Sequence, residues 1–187
     1  MPNKNLFINK KTKEMKKILF GFLVLIIGNS ALSQNCQYVK NEVDKFTKST
    51  VKTTKDLLLA GGSYKEDGTL YASLTKIDSS RFLNIKLIAW KDFVLETNGK
   101  MMFLFDDDSV INLSFVKFAV GEYDNNSGLE SWTASTTLAM SDENYNILRT
   151  KKPEEIRIYL EKGYVDLPIP KNKKYWNKFK EILECIK

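Results

Sequence analysis

The chain has 187 residues, with 29 Lys and Arg against 23 Asp and Glu, two Cys and no His. Without histidine there is no Ser-His-Asp or Cys-His nucleophile, and the commonest zinc ligand is missing. The formal excess of +6 is local: residues 1–33 hold six Lys and one Glu, which leaves 23 basic and 22 acidic side chains beyond them, so no nucleic acid partner is expected.

The stretch MKKILFGFLVLIIGNSALS, from Met15 to Ser33, has the order of a secretory signal peptide. Lys16 and Lys17 precede an apolar run from Ile18 to Ile27, and the small residues Ala31 and Ser33 stand at the −3 and −1 positions. Cleavage is expected after Ser33, which makes residues 1–33 a targeting segment and residues 34–187 a single β-rich domain. The apolar run is about half the length of a spanning helix, so a membrane anchor is the lesser reading and no span is expected after cleavage. A lipoprotein is disfavoured because Gln34 and Asn35, rather than a small residue, precede Cys36.

An exported chain meets an oxidising compartment, where an even pair of cysteines favours a disulfide. Cys36 and Cys185 are expected to be joined, tying the start of the domain to its last helix. Two unpaired thiols or a redox pair are the alternatives, the latter without any Cys-x-x-Cys spacing to support it.

Residues 36–55 carry the β-branched Val43, Thr47, Thr50, Val51, Thr53 and Thr54, which predicts an exposed or partly irregular strand. Residues 57–77 read as a hairpin about Asp67-Gly68, because glycine accepts the positive φ of a tight turn. In the strand that follows, Leu83, Ile85, Leu87 and Ala89 alternate with Asn84 and Lys86, the period of a half-buried strand. Asn98-Gly99 marks another turn. MMFLFDDDSVINLSFVKFAV predicts a second hairpin, turning at Asp106 to Ser109, with apolar residues on both faces and hence a central place in the sheet.

Residues 122–131 read as a polar loop with Gly128. Trp132, Ala134, Thr136 and Leu138 then share one face of a strand. Ser141, followed by Asp142 and Glu143, caps a short helix that should run to about Arg149. EIRIYLEKGYVDLPIP gives a third hairpin with Gly163 at its turn, and Pro168 and Pro170 make its return strand an edge. In KNKKYWNKFKEILECIK, Tyr175, Phe179, Ile182 and Ile186, joined by Trp176 and Leu183, recur at helical spacing. The expected architecture is α+β: about seven antiparallel strands, a short helix, and a C-terminal amphipathic helix packed on the sheet.

Candidate chemistry is sparse. Asp106, Asp107 and Asp108 suggest a calcium site, since hard cations seek carboxylate oxygens, but the alternating ligands of an EF-hand loop are missing and a solvated turn fits better. Gly61-Gly62 reads as a bend or bulge, because no phosphate-loop or dinucleotide motif surrounds it. Glu154 with Glu155, or Asp142 with Glu143, would serve acid–base hydrolysis only if two carboxyls faced each other across a cleft. Lys171, Lys173 and Lys174 beside Tyr175 and Trp176 look like the polar side of a packed helix rather than a base-stacking or membrane surface. Trp90, Phe93 and Tyr123 either line a binding face or close the ends of the core. No cofactor is expected.

The segments CQYVKNEVDKFTKSTVKTTK, FDDDSVINL and EEIRIYLEKGYVDLPI with FKEILECI, and the ALSQ ending of the signal, together resemble small exported proteins of Bacteroidota that have no assigned activity. The resemblance implies a periplasmic or outer-surface protein and carries over no catalytic residue. Three functions are therefore carried forward. The first is a non-enzymatic envelope domain that binds a partner protein through its sheet or an exposed edge. The second is a binder of a small apolar ligand between sheet and helix. The third is a hydrolase that works with carboxylates alone.

Overall fold

Period-two alternation of apolar and polar residues builds the longest strands of this protein. A computed structural model describes residues 36–61, 68–125 and 130–187. The targeting segment, Gly62, Asp67 of the expected turn and Gly128 of the expected loop lie outside these. In chain order the elements are β1 (Tyr38–Val43), β2 (Thr50–Thr54), β3 (Leu57–Gly61), β4 (Thr69–Ile77), β5 (Ser80–Ala89), β6 (Val94–Leu95) and β7 (Lys100–Phe105). They continue with β8 (Val110–Ser114), β9 (Ala119–Val120), β10 (Glu122–Asp124), β11 (Ser131–Met140), α1 (Asp142–Thr150), β12 (Pro153–Tyr159), β13 (Tyr164–Pro168) and α2 (Lys173–Cys185).

The architecture is mostly antiparallel sheet with two helices, but the strands do not form one sheet. Among the described residues they divide into a seven-stranded sheet, β1-β2-β4-β5-β11-β10 with β3 also on β4, a four-stranded sheet, β13-β12-β7-β8, and the pair β6-β9. The centre of the larger sheet is the long β4–β5 ladder, from Thr69↔Ile88 to Ile77↔Ser80, turned at Asp78 with φ 51°. On β5, Leu83, Ile85 and Leu87 are buried as their alternation predicts, and Leu138 and Ala134 of β11 face Leu83 and Leu87.

Three expectations need correction. Residues 36–55 form two strands, β1 and β2, because the Asp44 carboxylate accepts the N–H groups of Phe46 and Thr47 at 2.9 and 2.7 Å and folds the chain back on itself. The residues expected as a loop, 122–131, begin with β10. The second hairpin is not wholly central, since β7 is internal but β8 is an edge. Its return arm also ends at Ser114. Phe115 then bridges to Leu138, and Ala119–Val120 join a different sheet. Met101, Phe103 and Phe105 face the core, whereas Met102 and Leu104 border an open hollow of about 160 Å³ with Val110, Glu155 and Arg157.

β2 and β3 share one side of β4. Where the ladder breaks between them, the buried Thr54 hydroxyl accepts the Leu74 N–H at 2.9 Å, which keeps that donor satisfied. β13 is an edge strand, as its prolines require. Ser141 caps α1 by accepting the Asn144 N–H, with Asp142 and Glu143 in the first turn.

α2 packs on β3, β4 and α1. Trp176, Phe179, Leu183 and Ile186 form its buried stripe, with Tyr175 and Ile182 partly buried at its margins. The last carbonyls of a helix have no partner within it. Here Tyr145 donates to the Leu183 carbonyl at 2.9 Å, Tyr38 to Cys185 at 2.8 Å, Arg81 to Ile186 at 3.2 Å and Lys76 to Lys187 at 2.7 Å. The two cations also suit the negative end of the helix dipole.

Candidate functional site

The residues singled out in the sequence separate in space. Cys36 and Cys185 form a disulfide across 149 positions of chain, with their Cα atoms 5.7 Å apart. The three aspartates make a turn rather than a cation cage. Asp108 adopts φ 59°, and the Asp107 carboxylate accepts from the Ser109 hydroxyl and N–H and pairs with Lys151 Nζ at 2.5 Å. The Lys151 ammonium first, and then Ser109, hold the Asp107 carboxyl down at about 2. Among the described residues no three Cys, Asp or Glu side chains gather as metal ligands.

Asp142 pairs with Arg81 at 2.5 Å, while Glu155 borders the hollow on the four-stranded sheet. Trp176 belongs to the core. Phe93 is buried and closes one end of that core, and the Trp90 indole N–H is enclosed without a partner among the described residues. Tyr123 behaves otherwise: it is 52% exposed and lines the largest cleft described.

That cleft arises from how β11 is paired. On one side β11 runs along β5 over its whole length, from Trp132↔Ala89 to Met140↔Arg81. On the other side β10 covers only Ser131–Thr133. Further along, the Val116 N–H donates to the Thr137 carbonyl at 2.8 Å and the Thr136 hydroxyl to the Lys117 carbonyl at 2.8 Å. Between these contacts the chain leaves β11, forms β9 against β6, and returns at Gly121 as β10. The edge of β11 at Ala134 and Ser135 is therefore split open. A cleft of about 610 Å³ lies there, lined by Ala119, Val120, residues 122–125 and residues 133–135.

Gly121 allows a close approach at the return. A Cβ there would stand 3.1 Å from the Trp132 Cβ and 3.2 Å from the Phe93 ring. Tyr123 packs edge-on to Trp132, with ring centroids 5.2 Å apart. Its phenol is pushed up, by partial desolvation first and then by the neighbouring Glu130 carboxylate.

Half-exposed Val120 and Tyr123 line the cleft, together with acidic side chains. Val116, Phe118 and Val120 are half-exposed and follow one another at period two, leading to Tyr123. Glu122 and Asp124 are among the described residues that line the cleft. The two carboxylates come from one strand, two residues apart, so they stand side by side instead of flanking a bond from opposite walls. The arrangement suits an extended chain segment better than a bond-breaking step. Sequence reasoning found Tyr123 but missed Val116, Phe118, Val120 and Glu122, because a period-two apolar run reads as an ordinary half-buried strand.

No protein-family model matches this chain, and no curated protein or solved structure is similar enough to be matched to it.

Proposed function

We propose that this protein is an exported, non-enzymatic domain of the cell envelope whose cleft on β11 receives an extended, basic and apolar segment of a partner protein. The observation that carries this reading is the split edge of β11, with half-exposed Val120 and Tyr123 lining it and half-exposed Val116 and Phe118 preceding them in the chain. An open strand edge offers backbone donors and acceptors to a guest strand, and flanking pockets select its side chains. The Glu122 carboxylate in the lining favours Lys or Arg in that guest. Export is supported by the signal-like order of Met15 to Ser33 and by the Cys36–Cys185 disulfide. The resemblance to exported Bacteroidota proteins points to the periplasm or the outer surface.

A small apolar ligand between α2 and the sheet has less support, because Trp176, Phe179, Leu183 and Ile186 already occupy that space. Photo-crosslinking in cells tests the reading, with a photoreactive residue in place of Tyr123. The expected result is one protein adduct whose crosslinked peptide is basic, lost when Glu122→Lys is added. An adduct that survives Glu122→Lys, or forms equally from a photoreactive residue at the exposed Glu181 of α2, overturns it.

A further inference from the structure

At the opposite end of the larger sheet, β1 pairs with β2 on one side and, among the described residues, forms the other border of the sheet. After Tyr38 every residue of β1 is exposed, including Val39 and Val43, and Phe46 at the hairpin tip is 96% exposed. An edge of this kind presents unpaired backbone N–H and C=O groups to another strand.

We propose that the strand it fits is β1 of a second copy of this chain, paired antiparallel about Asn41. The stretch is Val39-Lys40-Asn41-Glu42-Val43. A two-fold axis at Asn41 sets Lys40 opposite Glu42 of the second copy, and Glu42 opposite its Lys40. An isologous contact repeats each pair in this way.

The other registers fail on elementary grounds. Outward-facing backbone groups alternate along the strand, so directly opposed residues must share that orientation. An axis between two residues would oppose neighbours of different orientation and is excluded. An axis on Lys40 opposes two ammonium groups, and an axis on Glu42 opposes two carboxylates, both unfavourable. Of these registers only the one on Asn41 opposes unlike charges. Within one copy Lys40 and Glu42 already pair on the same face at 3.1 Å, so each is held where a second counter-charge would meet it. The β-bulge between Tyr38 and Lys40 confines regular pairing to the rest of the strand. So short a contact makes a weak dimer, seen at high protein concentration.

This contact is independent of the β11 cleft, and its test does not involve that cleft. Sedimentation velocity is run on the purified, oxidised protein at rising concentration and low salt. A sedimentation coefficient that climbs with concentration is expected. Lys40→Glu and Glu42→Lys should each weaken association about tenfold or more, since each opposes like charges twice. An equimolar mixture of these two variants should associate again, because each then meets its opposite, and so should the double variant. Circular dichroism confirms that each variant is folded. A coefficient that stays monomeric to millimolar concentration overturns the proposal. So does association that ignores the single reversals, or variants that remain apart when mixed.

Discussion

In α2, Trp176, Phe179, Leu183 and Ile186 keep at most 5% of their surface, whereas Val116, Phe118, Val120 and Tyr123 keep 50–57%. Both sets are large and apolar, and each has a regular spacing, helical in the first and of period two from Val116 to Val120 in the second. The difference lies in what the chain brings to meet them. The stripe on α2 meets β3 and β4, and its end is tied down by Tyr38, Lys76, Arg81 and Tyr145. The Val116–Tyr123 segment is held by backbone contacts to β11 at its two ends and by the two-residue β6 between them, and these leave the four side chains half-exposed. An apolar periodic face announces that something will cover it, but does not say whether the cover is internal.

Truncation should separate the two regions most sharply. Phe179→Ala is expected to cost about 3–5 kcal/mol of folding stability. Phe118→Ala should stay within about 0.5 kcal/mol, as for a surface position. Urea unfolding of both variants checks this, and equal costs would break the comparison. Next in size is the disulfide. Replacing Cys36 and Cys185 with Ser should cost about 2–5 kcal/mol, because the bond closes a very long loop in the unfolded chain. Proteolysis of the reduced form should begin at α2 and β1, leaving the β11 edge as accessible as before.

A smaller effect is expected at α1, which also packs against α2. Ser141→Ala removes the acceptor for the Asn144 N–H and should cost about 1 kcal/mol, read from the thermal midpoint. The smallest effect concerns pH. The folded Asp107 carboxyl sits at about 2, below its ordinary 3.8, so its contribution is complete above roughly pH 4 and fades as pH falls toward 2. Carboxylate NMR should show that low midpoint, and Lys151→Met should move it up toward the ordinary value. Neither change should touch the cleft.

Much of the packed region was readable from local pattern. The i, i+3, i+4 spacing from Tyr175 to Ile186 marked the buried helix. Ser141 marked the cap, Gly163 the third turn, and the even pair of cysteines their own bond. What escaped was either non-local or written without the usual turn residues. The turn between β1 and β2 contains no glycine or proline; Asp44 organises it and Lys48 takes φ 62°. The division into three sheets depends on pairings such as Ile156↔Phe103, which no local period encodes. The cleft escaped for the same reason, because Val116–Val120 looks like a continuation of β8 until the chain is seen to change sheets. The three aspartates admitted both a turn and a cation site, because turn geometry and metal ligation draw on the same residue type, and the turn that the sequence favoured is the one formed.

The Cys36–Cys185 bond has a mechanical meaning as well. With those Cα atoms 5.7 Å apart, the domain is a closed covalent ring. A pull applied upstream of Cys36 and downstream of Cys185 runs through the sulfur bridge and bypasses every strand between them. Held in this way, the β11 edge would keep its shape under tension that would unravel an open chain, until a reductant opened the ring.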